Sequence, residues 1–91
     1  MISGIMLAQQ GVTGVVSSDD GELLPGVSVV VKGTTTGVTS DFDGIYSITV
    51  PNSSAVLVFS YLGMETKEVA VGNQTTLNVT MATSSEQLDE V

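Results

Sequence analysis

Residues 21–50, GELLPGVSVVVKGTTTGVTSDFDGIYSITV, decide the fold of this chain. Two short apolar runs, residues 27–32 and 45–50, lie on either side of a polar segment rich in Thr, Gly and Asp. Turn-forming pairs precede both runs, Pro-Gly at 25–26 and Asp-Gly at 43–44. The stretch therefore predicts a strand, a short second strand and a hairpin return, which together form a building block of a β-sandwich.

The same alternation extends to both sides of this stretch. In the first predicted strand Val12 and Val16 share a face, and in the last Leu77, Val79 and Met81 point inward. Residues 55–62, AVLVFSYL, are apolar on both faces, which predicts a central strand buried from two sides. The pattern thus predicts an all-β, Ig-like Greek-key sandwich of seven strands with no helix. The predicted strands cover residues 12–17, 27–32, 34–40, 45–50, 55–62, 66–71 and 76–81.

Composition limits the chain to one small domain and excludes several functions. The 91 residues carry ten acidic side chains against Lys32 and Lys67, for a net charge of −8. Nucleic acid and an anionic membrane surface would both repel such a chain, so its partner should be neutral or basic. His, Cys, Arg and Trp are absent, which removes the usual general base, the thiol nucleophile and the common zinc ligands. We therefore expect no enzyme activity, no cofactor and no metal.

The two ends of the chain differ from its middle. Residues 1–10, MISGIMLAQQ, are apolar but too short to span a bilayer, and they lack a basic start. Ala8 before Gln9 resembles a signal-peptide cleavage site, while a cloning remnant without function is the other interpretation; both stay open. We assign residues 11–82 to the sandwich. Residues 83–91 are polar and acidic, which predicts a flexible linker.

Two acidic motifs are interpreted as turns. The sequence Asp41-Phe42-Asp43-Gly44 resembles the start of a calcium loop, but the late Glu of such a loop is missing, so a hairpin turn is favoured. The pair at residues 19–20 is likewise predicted to be a turn rather than a catalytic dyad.

The four aromatic side chains permit two interpretations. Phe42, Tyr46, Phe59 and Tyr61 could form a platform on which sugar rings stack. Their place in the strand alternation favours core packing, because it puts most of them in or near the interior.

Three segments carry a resemblance to a known family. Residues 21–37 (GELLPGVSVVVKGTTTG), 40–48 (SDFDGIYSI) and 57–63 (LVFSYLG) resemble the carboxypeptidase-regulatory-like domain. More narrowly, they are similar to the copy at the N-terminus of SusC-like TonB-dependent outer-membrane transporters of Bacteroidetes. Two departures are Ser40, where that family usually has Thr, and Met64, where an aromatic residue is typical.

The resemblance implies a transthyretin-like, non-catalytic sandwich on the periplasmic side of the bacterial outer membrane, without membrane insertion of its own. Leu88, Asp89, Glu90 and Val91 are similar to the start of the TonB box, so residues 83–91 would lead into that box. An extended segment of this kind can add a strand to an exposed sheet edge, and the resemblance names the C-terminal domain of TonB as the partner. A SusD-like lipoprotein would be a further partner through the full transporter, which would import glycans or peptides.

Other functions remain open at this stage. The alternative is a carbohydrate-binding or adhesive module of a surface protein. A third possibility is the accessory domain of a metallocarboxypeptidase, which would need a zinc-binding catalytic domain beside it.

Overall fold

The computed structural model describes residues 9–84, and the predictions for residues 1–8 and 85–91 lie outside this part. The described chain contains seven strands packed as two sheets, which confirms the predicted all-β sandwich. The strands are β1 (Gln10–Ser18), β2 (Ser28–Val31), β3 (Gly37–Thr39), β4 (Ile45–Val50), β5 (Val56–Ser60), β6 (Lys67–Ala70) and β7 (Val79–Met81).

The chain passes repeatedly from one sheet to the other. One sheet has the order β4-β1-β7 and the other has the order β3-β2-β5-β6. Strand β1 pairs antiparallel with β4, from Gln10 opposite Val50 to Val15 opposite Ile45. On its other side β1 pairs in parallel with β7. The first and last strands of the described chain therefore run side by side in the same direction.

Alternating side chains from both sheets form one core, as the period-2 pattern predicts. The aromatic part of this core is Tyr46 against Phe59, whose ring centroids are 5.3 Å apart at an interplanar angle of 76°. Such an edge-to-face pair adds to the stability that burial alone supplies. The core residues are Val12, Val16, Leu24, Val27, Val29, Val31, Tyr46, Ile48, Val50, Ala55, Leu57, Phe59, Val71, Leu77, Val79 and Met81.

A buried glycine allows the chain to pack closely at the centre of β1. A Cβ added to Gly14 would lie 2.0 Å from the carbonyl oxygen of Leu77 and 3.1 Å from the ring of Tyr46. The Tyr46 hydroxyl donates to that same carbonyl at 2.7 Å. Burial raises the pKa of Tyr46 to about 12, because an ionised phenolate would lose its hydration. Gly14 therefore provides the space in which Tyr46 reaches Leu77.

Only the fourth strand has its predicted bounds, and for the starts of β3 and β1 the hydrogen bonds show why they differ. The third strand was predicted from Thr34, but β3 begins at Gly37, because the Thr34 hydroxyl donates to the Val31 carbonyl at 2.9 Å and accepts from the Thr36 amide at 3.0 Å. Such local bonds hold a turn in place of a strand. The first strand begins at Gln10, ahead of the predicted Val12, and the Gln10 side-chain amide donates to the Gln74 carbonyl at 2.8 Å.

The prediction that β5 is buried on both faces is wrong, although its central place in the sheet is confirmed. Leu57 and Phe59 are fully buried, but Val56 and Val58 on the opposite face are only partly covered. A two-layer sandwich of this size has no third layer to cover the outer face of the sheet. The apolar run in the sequence therefore overstates the burial.

Candidate functional site

The described chain leaves the sandwich beside a turn of the four-stranded sheet. The Ser84 amide donates to the Gly63 carbonyl at 2.9 Å, and the Glu65 amide donates to the Ala82 carbonyl at 2.9 Å. These bonds hold the last described residues against the turn that carries Leu62. Ser84, the last described residue, therefore lies beside this turn.

Several other turns lie at this same end of the sandwich. A Cβ added to Gly44 would lie 3.5 Å from the Cβ of Leu23, and a Cβ added to Gly26 would lie 3.9 Å from the ring of Tyr61. These contacts bring loops from both sheets together. We call this end of the sandwich the exit end, and its turns are residues 19–22, 25–26, 41–44 and 62–63.

The loop between β3 and β4 is held by the Asp41 carboxylate. Its Oδ1 accepts from the Asp43 amide at 2.9 Å and from the Ile45 amide at 3.0 Å. Gly44 completes the loop with a φ of 77°, in the left-handed region that glycine adopts without strain. The predicted turn is present, but the predicted hairpin is wrong, because β3 and β4 lie in different sheets and the loop crosses between them. The loop fixes the backbone that presents Phe42.

A buried hydroxyl fixes the turn at residues 25–26. Ser40 Oγ accepts from the Val27 amide at 2.9 Å and donates to the Leu24 carbonyl at 2.6 Å. The Ser40 carbonyl in turn accepts from the Gly26 amide at 3.0 Å. One small polar residue thus satisfies the backbone groups on both sides of this turn, as buried polar groups require.

Two large apolar side chains of the exit end face solvent. Phe42 is 93% exposed and Leu62 is 94% exposed. Phe42 therefore does not lie in or near the core, whereas Tyr46 and Phe59 do, as the alternation predicts.

Beside Phe42 lies a shallow depression with a volume of about 390 Å³. It is lined by Pro25, Gly26, Ser40, Asp41 and Phe42.

The turn after β1 is held by hydrogen bonds to another carboxylate. The Ser18 hydroxyl donates to Asp20 Oδ1, and the Glu22 amide donates to the same atom at 3.3 Å. The Ser18 hydrogen bond, with the Glu22 amide as a second donor, holds the pKa of the Asp20 carboxyl below its ordinary value. The interpretation of residues 19–20 as a turn is confirmed.

The exit end is acidic, and the two lysines of the chain make contacts away from its turns. Lys32 Nζ pairs with Glu68 Oε1 at 2.9 Å, and Lys67 Nζ donates to the Thr80 carbonyl at 3.1 Å. The turns of the exit end carry the carboxylates of Asp19, Asp20, Glu22, Asp41 and Asp43. Phe42 is therefore flanked by two carboxylates, and three more stand in the neighbouring turn at residues 19–22.

The predicted partner-binding residues Leu88, Asp89, Glu90 and Val91 lie outside the described residues. The last described residue ahead of them is Ser84, whose amide is hydrogen-bonded to the Gly63 carbonyl. Sequence reasoning missed the exposed pair of Phe42 and Leu62. For Phe42 a usable signal was present, because it stands in the predicted turn before Asp43-Gly44. Leu62 was predicted as the end of the fifth strand, whereas β5 ends at Ser60.

Within residues 9–84, no three His, Cys, Asp or Glu side chains are close enough together to hold a metal ion. The same residues contain no helix long and apolar enough to cross a membrane.

Sequence comparison finds matches along nearly the whole chain. Residues 12–91 match the model of the CarboxypepD_reg-like domain. A TonB-dependent receptor of Formosa agariphila is 48% identical over 93 residues, covering 100% of this chain and 9% of the receptor. A second receptor of that organism is 44% identical and covers 92% of this chain. The TonB-dependent receptor SusC of Bacteroides thetaiotaomicron is 40% identical, covering 100% of this chain and 9% of SusC. The chain thus spans less than a tenth of these relatives.

Structural comparison supports the fold alone. A chain of a type II cohesin–X–dockerin complex from Acetivibrio cellulolyticus, an N-terminal interface mutant, is 17% identical with a TM-score of 0.67. It covers 87% of this chain and 61% of its own. A C-terminal interface mutant of the same complex is 20% identical with a TM-score of 0.60, covering 78% of this chain and 52% of its own.

Proposed function

The chain belongs to the CarboxypepD_reg-like domain family, and from this premise we propose that it is the non-catalytic N-terminal domain of a TonB-dependent nutrient transporter. The observation that carries the proposal is the identity of 40–48% to TonB-dependent receptors over 92–100% of the chain. The domain would stand on the periplasmic side of the outer membrane. The transporter would import glycans or peptides together with a SusD-like lipoprotein.

In this proposal, residues 88–91 (Leu88, Asp89, Glu90 and Val91) begin the segment that the C-terminal domain of TonB binds. A strand-like segment with free backbone groups can extend an exposed sheet edge, and its alternate side chains give selectivity. The sandwich stands upstream of that segment and modulates access to it. The hydrogen bond from Ser84 to Gly63 supports this role, because it holds the chain against the folded domain four residues ahead of Leu88.

Titration of the ¹⁵N-labelled chain, extended beyond Val91 to include a complete TonB box, with the purified C-terminal domain of TonB tests the proposal. We expect amide shifts at residues 88–91. A matched variant, Leu88→Asp with Val91→Asp, should lose these shifts, because charged side chains replace the apolar ones that an edge strand would pack. Absence of any shift at residues 88–91 in the unmodified chain would sink the proposal.

A sugar-binding module is the second candidate, and the exposed ring of Phe42 beside the depression favours it. Aromatic faces of this kind stack on apolar faces of ligands. Calorimetry of the isolated chain against a glycan panel distinguishes the two functions. A saturable binding heat in the unmodified chain that is lost in the Phe42→Ala variant would support sugar binding. Titrations without a binding heat would rule it out.

A further inference from the structure

The exit end presents its two most exposed apolar side chains, Phe42 and Leu62, on fixed backbone. Phe42 lies in the loop that the Asp41 carboxylate holds by hydrogen bonds. Leu62 lies in the turn whose Gly63 carbonyl accepts a hydrogen bond from the Ser84 amide. Gly63 has a φ of 80°, so this turn also has a defined geometry. Side chains held in this way lose little further backbone freedom on binding, which is the property of preorganised contact residues.

A partner could also place a side chain between the loops. The depression of about 390 Å³ beside Phe42 has Pro25 and Gly26 on its wall, and Gly26 in turn lies near the ring of Tyr61. An apolar anchor seated in a recess, with exposed apolar groups around it, is typical of the centre of a protein–protein contact. The exit end therefore has the form of a docking surface.

Charge decides which molecule would occupy this surface. The turns of the exit end carry Asp19, Asp20, Glu22, Asp41 and Asp43. A second copy, with its net charge of −8, would place like charges against them. The segment that follows Ser84 is also acidic, with Glu86, Asp89 and Glu90. Both are disfavoured as occupants, since like charges at an interface oppose association. A basic surface with an apolar projection complements the exit end.

Chain length decides where that partner would be held. Leu88 is four residues beyond Ser84, and four residues span at most about 14 Å when fully extended. Ser84 itself is bonded to the residue next to Leu62. A protein that binds residues 88–91 is therefore kept close to the exit end, where a second weak contact gains from a high effective concentration.

We propose that the C-terminal domain of TonB, while it holds residues 88–91, makes a second contact on the exit end through Phe42 and Leu62, with basic side chains facing the surrounding carboxylates. This inference rests on the function proposed above and adds a surface to it. The two contacts act together, so loss of either one weakens the complex.

The test is the affinity of the extended chain, carrying a complete TonB box, for the C-terminal domain of TonB at low and high salt. Phe42→Ser combined with Leu62→Ser should weaken binding by about tenfold, as removal of a central apolar anchor does. Asp19→Asn combined with Asp43→Asn should reduce the salt dependence without touching the apolar groups. Ala70→Ser, an exposed change on β6, is the matched control and should bind as the unmodified chain does.

Each result has a distinct meaning. Amide shifts at Phe42 and Leu62, with weaker binding of the double Ser variant, support the second contact. Shifts confined to residues 88–91, with unchanged affinity of that variant, overturn the inference and leave the proposed function standing. No binding by any chain overturns both. The free chain could also sediment as a dimer that is lost when Phe42 and Leu62 are replaced. That result would show that a second copy occupies the surface, and it would also overturn the inference.

The variants themselves can be checked before any titration. Both substituted apolar side chains are more than nine-tenths exposed, so their removal should leave the melting temperature unchanged. If the double Ser variant melts early, the two Asp→Asn changes provide an independent reading through the salt dependence alone. A salt-independent affinity in the unmodified chain would then count against the proposal.

Discussion

Two small residues, Gly14 and Ser40, determine how closely the backbone packs inside this sandwich. Gly14 leaves room for the Leu77 carbonyl, and Ser40 supplies a hydroxyl to the Val27 amide and the Leu24 carbonyl. Neither contributes much apolar area to the core. Gly14 matters because it leaves space, and Ser40 matters because its hydroxyl makes two hydrogen bonds. Adding one atom to the first or removing one atom from the second should therefore lower the stability of the domain.

Gly14→Ala should be among the most destabilising single changes in the chain. The added methyl would lie 2.0 Å from a backbone oxygen, so β1 or the segment at Leu77 must move. Overpacking of this kind typically lowers the free energy of unfolding by about 1–3 kcal/mol or more. Urea unfolding measures the change. Gly11→Ala is the matched control in the same strand, because nothing lies within 4 Å of the added atom. Equal stabilities of the two variants would contradict the packing described for Gly14.

Ser40→Ala should lower the free energy of unfolding by about 1–3 kcal/mol, since it leaves a buried amide and a buried carbonyl without their partner. Ser40→Thr keeps the hydroxyl and should retain most of the stability. Thermal unfolding is the measurement, and Ser47→Ala, on the exposed face of β4, is the control. A Ser40→Ala variant as stable as that control would contradict the role of the hydroxyl.

At the scale of elements, the loop between β3 and β4 joins the two sheets with few residues. Asp41 accepts the amides of Asp43 and Ile45, and the Asp41 amide donates to the Ile45 carbonyl at 2.9 Å. The loop therefore depends on one carboxylate oxygen rather than on apolar contacts. Its neighbour Asp43 carries the same charge, which allows a matched comparison.

Asp41→Ala should destabilise the domain by about 1–2 kcal/mol, because two backbone amides lose their acceptor. Asp43→Ala removes the same charge but not that acceptor, and it should change stability by less than about 0.5 kcal/mol. Chemical denaturation of both variants at equal salt is the measurement. If the two variants are equally destabilised, charge rather than hydrogen bonding explains the effect.

The strand pattern and the turn residues sufficed to predict most of these elements. Residues 45–50 form β4 as predicted, because alternation and an Asp-Gly turn agree there. The prediction was too long at Thr34, where side-chain hydroxyls bond the backbone, and it overstated the burial of β5. The exposure of Phe42 was not predicted, because an aromatic residue in a turn gives no periodic signal. The nearness of Ser84 to Leu62 depends on tertiary contacts that no local pattern contains.

At the scale of the whole molecule, one buried phenol links stability to pH. Tyr46 donates its hydroxyl to Leu77 inside the core, and its pKa is raised to about 12 by burial. In the unfolded chain a tyrosine ionises near its ordinary pKa of about 10. Between these values the unfolded state loses a proton that the folded state keeps, so unfolding becomes more favourable.

The domain should therefore keep its full Tyr46 contribution below pH 10 and lose about 2–3 kcal/mol as the pH rises towards 12. Urea unfolding at pH 8 and at pH 11 measures the first part of this loss, which is about 1.4 kcal/mol by pH 11. Tyr46→Phe should be less stable at pH 8, because the Leu77 carbonyl loses its donor, but its stability should fall less between the two pH values. A decline as steep as that of the unmodified chain would show that another group causes it.

The parallel pairing of β1 with β7 has a mechanical consequence. Gln10 and Ser84 lie at opposite ends of the sandwich, since β1 starts at one end and β7 finishes at the other. Tension between these two points loads the β1–β7 hydrogen bonds in shear and together, including the bond from the Leu77 amide to the Thr13 carbonyl at 2.8 Å. An antiparallel pair pulled from one end instead opens its bonds one after another. Forced unfolding is governed by the unfolding rate. Because the β1–β7 hydrogen bonds must break together, we expect this rate to stay low and the core to stay closed when tension acts along the sandwich.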